Sequence, residues 1–164
     1  EANSLYEMIG LGALKYFILK VDPTKNMMFN PAESIDFNGN TAPFIQYTHA
    51  RIKSLLRKAA EQGINVNTTL PDGISLEGEE KTLVKVLYKY PQTVLSAGDS
   101  FSPALISNYI YEVAKQFNHF YQDTPIMKET DETRRLLRLQ ISQFVAITIR
   151  NGMKLLGIDV PERM

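Results

Sequence analysis

Residues whose types could do chemistry gather in one stretch. Tyr47, Arg51, Ser54 and Lys58 recur at i, i+4, i+7 and i+11, so a helix would set one aromatic ring and two cations in a row. Just upstream, Asn38, Gly39 and Asn40 centre a loop over residues 36–41, built from types that tolerate positive φ and favour turns. A ring can stack on the face of an unpaired nucleobase, and cations can meet its phosphate. The backbone N–H and C=O groups of a pliant loop can meet its edge. A solvated helix face carries the same residue types, and the row alone does not separate the two readings.

Elsewhere the chemistry-bearing types are scattered. Of the two histidines, His49 falls at the edge of a buried helix face and reads as a hydrogen-bonded structural imidazole, and His119 reads as a surface residue. No His-x-x-x-His or similar ligand spacing exists, and the absence of cysteine excludes disulfides and thiolate metal sites. No serine sits in a nucleophile motif, and no glycine-rich phosphate loop ends in Lys-Ser or Lys-Thr. Gly10-Leu11-Gly12 lacks the third glycine of a dinucleotide loop, because Lys15 stands there, and no strand precedes it. No catalytic residue, metal or cofactor is therefore expected within these residues.

The elements that must position the stripe are all helical. The spacing of Leu5, Met8, Ile9, Gly12, Ala13, Tyr16 and Phe17 predicts a helix over 3–20, with Gly10 and Gly12 serving close packing. Asp22-Pro23 makes a turn, Met27-Met28-Phe29 suggests an isolated strand, and Asn30-Pro31 starts a helical turn. Pro43 suits the first position of a helix over 43–61, capped near Thr41 and stopped at Gly63, with Ile45, Ile52, Leu55, Leu56 and Ala59 inward. A helix over 77–90 ends at Pro91, and a short one over 93–97 closes at Gly98. Ser102-Pro103 opens a helix to about 122 whose stripe runs from Ile106 through Phe117 and Phe120, leaving Tyr121 near its exposed end. The last helix, 131–156, points Leu137, Ile141, Phe144, Val145 and Met153 inward and stops at Gly157. Five or six helices with short connections make an all-α bundle.

The 164 residues suit one domain with a piece of a second, and 44% hydrophobic content is enough for a core. No apolar run approaches the ~20 residues of a membrane span. With 18 basic and 18 acidic residues, a general nucleic-acid coat and a DNA partner are not expected, although a local patch is allowed. Glu77, Glu79 and Glu80 crowd at a helix start, where they suit the macrodipole. The chain opens on Glu1 in what reads as mid-helix, so it is expected to be the C-terminal piece of a longer protein.

Phe44-Ile45-Gln46-Tyr47-Thr48-His49-Ala50-Arg51 resembles the Gln-Tyr-x-His-Ala-Arg block of arginyl-tRNA synthetases. Further blocks follow the same family in order. They are Gly12-Ala13-Leu14-Lys15-Tyr16-Phe17, Asn38-Gly39-Asn40, Phe117-Asn118-His119-Phe120-Tyr121, Asn151-Gly152-Met153-Lys154-Leu155-Leu156-Gly157-Ile158 and Pro161-Glu162-Arg163-Met164. The resemblance implies a DALR-type helical anticodon-binding domain over 36–164, preceded over 1–35 by the end of a catalytic domain and a connecting segment. It implies arginine tRNA as partner, with ATP and magnesium used by the complete ligase, in the cytoplasm and as a monomer. It assigns tRNA contacts to Asn38, Gly39, Asn40, Tyr47, Arg51, Tyr121 and Met164. Every arginine anticodon has C at its centre, so such a domain must unstack and read that base. Two other readings stand beside it. One is a helical protein-interaction module whose last-helix arginines meet an acidic partner; the other is the related domain of another class I synthetase, such as the cysteine enzyme.

Overall fold

Side-chain caps set where the helices begin. In the computed structural model, which describes residues 2–164, Asn30 accepts from the Ala32 and Glu33 amides, Thr41 from Phe44, and Asp131 from Thr133 and Arg134. Each cap satisfies donors that the first turn of a helix leaves unpaired. The helices are α1 (Ala2–Leu19), α2 (Pro31–Ser34, a single turn), α3 (Ala42–Glu61), α4 (Gly78–Tyr88), α5 (Tyr90–Asp99), α6 (Pro103–Asp123) and α7 (Glu132–Leu155). The architecture is all-α, as the periodicity predicts, and no strand forms among the described residues.

α6 is the central post. It packs against α1, α3, α4, α5 and α7, and its Ile110, Val113, Ala114, Phe117 and Phe120 are fully buried. Close approach of α7 to α6 requires Gly152, because a Cβ there would run into the Ile110 side chain. α1 lies over α3 and α6, where Tyr16 is buried and donates its hydroxyl to the Ser107 carbonyl at 2.8 Å and the Asn40 side chain at 2.6 Å. Burial pushes the Tyr16 phenol well above its ordinary value. The opposite side of α1 leaves Tyr6, Leu11, Leu14 and Ile18 exposed.

A buried carboxylate ties α4 to α7. Glu80 closes a capping box with Glu77 and accepts from Arg134 and from Arg138, each at 2.7 Å. Arg134 also reaches Glu77, and Arg138 reaches Glu129. Enclosed charges persist only when paired and hydrogen-bonded in this way.

Several local expectations are corrected. Residues 27–29 are not a strand: no neighbouring edge is there to pair with, and Phe29 instead sets its ring at 89° to Phe17, 5.1 Å away. Pro43 is the second helical residue rather than the first, with Thr41 as the cap. Pro91 does not end α4, which stops at Tyr88; it sits in the first turn of α5, where no N–H is required, and α5 runs through Gly98 to Asp99. Phe144 points outward and is 60% exposed, on the face of α7 that also carries Gln140 and Thr148. Gly10 faces open space, so only Gly12 of the pair serves close packing, against Gln46 and Ile158.

Candidate nucleic-acid interface

α3 turns the Tyr47 stripe outward because its other faces are taken. Ile45, Ile52, Leu55 and Ala59 enter the core, while Thr48 is buried against α6, where it accepts from Asn118 at 2.9 Å. Tyr47, Arg51, Ser54 and Lys58 therefore line a cleft of about 780 Å³. Tyr121 from the end of α6 and Met164 from the tail after α7 line the same cleft. Four of the seven site residues expected from the sequence thus meet at most one cleft-width apart: Tyr47, Arg51, Tyr121 and Met164.

Arg51 organises the two rings. Its guanidinium carbon lies 4.9 Å from the Tyr47 ring centre and 5.3 Å from that of Tyr121, and one terminal nitrogen donates to the Asn118 side chain at 2.5 Å. Two cation–π contacts and a charge-assisted hydrogen bond hold the cation between the rings. Both rings stay accessible, Tyr47 at 45% and Tyr121 at 39%, enough for each to offer a face to a stacking partner. Arg57, Lys58 and Arg163 add positive charge around the cleft, against one carboxylate, Glu61.

The 36–41 loop stands beside the cleft rather than in it. Phe37 connects the two, meeting Tyr47 edge-on with ring centres 6.5 Å apart while remaining half exposed. The Asp36 carboxylate accepts from the Asn38 backbone and side chain, which shapes the turn, and Gly39 takes φ 83° with open space around it. Asn40 is held inward: its amide donates to Asn108, its side-chain oxygen accepts from Tyr16, and its carbonyl accepts from Lys20. Asn38 and Gly39 are thus the open part of the loop, and Asn40 is its anchor.

Sequence reasoning passed over Phe37, Asn118, Arg57, Arg163 and Met127. Phe37 carried a signal, an apolar ring in a polar loop. So did Asn118, three residues before Tyr121 on α6 and hence on its face. The cleft contribution of Met127 carries none, since only the fold of the 124–131 connection brings it there; Arg57 stands one residue before Lys58 on α3.

His49 is fully buried and its Nδ1 lies 2.8 Å from the Pro161 carbonyl, so it clamps the tail as a structural imidazole. Burial pushes its pKa below the ordinary value, with Arg150 and Lys53 acting the same way against the Pro161 carbonyl and Glu162. His119 is exposed. Among the described residues, no group of three or more His, Asp or Glu side chains is placed to hold a metal ion, and no helix is long and apolar enough to cross a membrane.

Comparison with known proteins shows the family of the chain. The family model described as "DALR anticodon binding domain" matches residues 45–164. A curated protein named arginine–tRNA ligase, from Porphyromonas gingivalis, is 52% identical over all 164 residues, which span 28% of its length. One of the same name from Flavobacterium psychrophilum is 54% identical, and the chain spans 26% of it. The solved arginyl-tRNA synthetase of Thermus thermophilus superposes with a TM-score of 0.87 at 32% identity, covering 96% of this chain and 27% of that one. The Plasmodium falciparum arginyl-tRNA synthetase gives 0.88 at 25% identity, covering 100% of this chain and 28% of that one. The chain therefore spans little more than a quarter of the relatives it matches.

Proposed function

This chain belongs to the DALR anticodon binding domain family, and from that premise we propose that it is the tRNA-gripping part of an arginine–tRNA ligase. The observation that carries the reading is the shared cleft: two accessible tyrosine rings braced by one arginine, ringed by cations, with an open glycine-containing loop alongside. The partner is the anticodon arm of arginine tRNA. Its unpaired bases stack on Tyr47 and Tyr121, Met164 supplies an apolar wall, and Arg163 and Lys58 meet phosphate. The everted central cytosine presents its Watson–Crick edge to backbone groups of Asn38 and Gly39, with Asn40 holding the loop in register.

Residues 36–164 form the binding unit in this reading, and 1–35 join it to a catalytic domain. The exposed side of α1, with Leu11, Leu14 and Ile18, supports that division because it offers a surface for the rest of the ligase. The complete ligase attaches arginine to tRNA using ATP. The described residues do not fit a triphosphate-magnesium site, having neither a phosphate loop nor a group of carboxylates placed to hold a metal ion, so that chemistry belongs to other parts of the ligase. The working state is a cytoplasmic monomer.

The test is binding of the 164-residue chain to arginine tRNA and to the same tRNA with its middle anticodon base replaced. Retention of the first, with at least about fivefold weaker binding of the second, agrees with a misread base costing about 1–3 kcal/mol. Equal retention of both would show that no cytosine is read.

A further inference from the structure

α3 carries a second stripe, beside the one that lines the cleft. Gln46, His49, Lys53 and Arg57 lie at i, i+3, i+7 and i+11, and each holds the segment after α7. Gln46 donates to the Asp159 carbonyl at 2.9 Å, and His49 sits 2.8 Å from that of Pro161. Lys53 pairs with the Glu162 carboxylate at 3.0 Å, and Arg57 donates to the Glu162 carbonyl at 3.0 Å. The order along the tail follows the order along the helix. Arg150 of α7 grips the other carboxylate oxygen of Glu162 at 2.8 Å, and Lys15 of α1 donates to Gly157 at 2.7 Å. Ile158 and Pro161 are buried beneath this row. The bed for its first rung is Gly12, where a Cβ would come within 2.8 Å of the Gln46 amide.

The rungs stop at Glu162, and the next two residues, Arg163 and Met164, enter the cleft. Without such a ladder this irregular segment would lose its order, because fixing each residue costs about 1–2 kcal/mol. We propose that Gln46, His49, Lys53 and Arg57, closed by Glu162 and Arg150, form a latch whose task is to present Arg163 and Met164 to the RNA. Gln46, His49, Lys53, Glu162 and Arg150 are positioning residues that act through the tail and touch no nucleotide, whereas Arg57 also lines the cleft. The proposal rests on the reading of the cleft as a tRNA site.

The latch and the cleft are separable by experiment. In the 164-residue chain with ¹³C-labelled methionine methyls, Glu162→Ala sharpens the Met164 signal and moves it toward its unfolded position, while that of buried Met153 stays put. Lys53→Met, which keeps the stem and removes the charge, does the same. Either variant weakens binding to arginine tRNA about three- to tenfold, a coupling of the size seen between neighbouring groups. In a chain already carrying Arg163→Ala and Met164→Ala, neither causes further loss, since nothing remains to be presented. A Met164 signal unmoved by both variants overturns the latch, whatever the RNA does. Additive losses in the two backgrounds leave a latch but overturn its positioning task. A parent chain that fails to retain the tRNA overturns the reading of the cleft, and the positioning claim with it.

Discussion

Arginines of the same kind do opposite work on two sides of this molecule. On α7, Arg134 and Arg138 are closed off by Glu77, Glu80 and Glu129, and their charge is consumed in fastening α4 to α7. Around the cleft, Lys58 and Arg163 face solvent and make no ion pair among the described residues, and Arg51 is braced by rings rather than by a carboxylate. A cation paired with a buried acid has no field left for a phosphate, whereas a cation held by neutral partners keeps its charge outward. The arginine-rich start of the last helix is therefore structural, which removes the basis for an acidic partner docking there. In the proposed reading, the thinner set on α3 and the tail is the one left for RNA.

The comparison can be broken most forcefully at Glu80. Glu80→Ala leaves Arg134 ion-paired with Glu77 alone and Arg138 with Glu129 alone, and lowers unfolding free energy by roughly 1.5–3 kcal/mol in urea titration, yet the folded protein binds arginine tRNA as before. A loss of RNA affinity at full folding would mean that the two regions are coupled. Tyr47→Ala has the converse effect. It weakens tRNA binding by about 1–3 kcal/mol and, in the complete ligase, raises KM for tRNA with KM for ATP and arginine unchanged, while urea unfolding barely moves because the ring is half exposed.

Lys58→Gln sharpens the same contrast at smaller scale: it lowers the salt dependence of binding by about 0.7 in log–log slope, one released counterion on a single strand. The corresponding change at Arg138 leaves the slope alone. The smallest effect is in acid. His49 is kept neutral by burial below its ordinary 6.5, so the unfolded chain takes up that proton first. Stability falls as pH drops below about 6.5 and levels once the native imidazole also protonates. His49→Gln flattens that part of the Tm–pH curve. Glu162, which burial raises but Lys53 and Arg150 hold below its ordinary 4.5, contributes a separate decline at lower pH.

Helix starts were the most legible part of the fold. Thr41 and Asp131 form the caps, Ser102 takes the N-cap position without a side-chain cap bond, and Gly63 and Gly157 take positive φ where helices end. Chain breaks were less legible around Pro91, because proline in a first turn and proline after a last turn look alike without knowing which carbonyl it faces. In the cleft, the Tyr47–Arg51 spacing was readable, since one helix fixes it. That Asn40 would turn inward to Tyr16 and Asn108 was not readable, because those partners are distant in the chain.

Local chemistry, then, was written along the chain: which segments coil, where they start, and that α3 would carry a ring and cations on one stripe. The periodicity of side chains on a helix is a property of consecutive residues and needs nothing else. Which cations remain unpaired, and that Tyr121 and Met164 arrive beside Tyr47, follow from packing among α3, α6, α7 and the tail. Electrostatic neutralisation and cleft formation depend on distances between residues dozens of positions apart, and only the folded arrangement sets those distances.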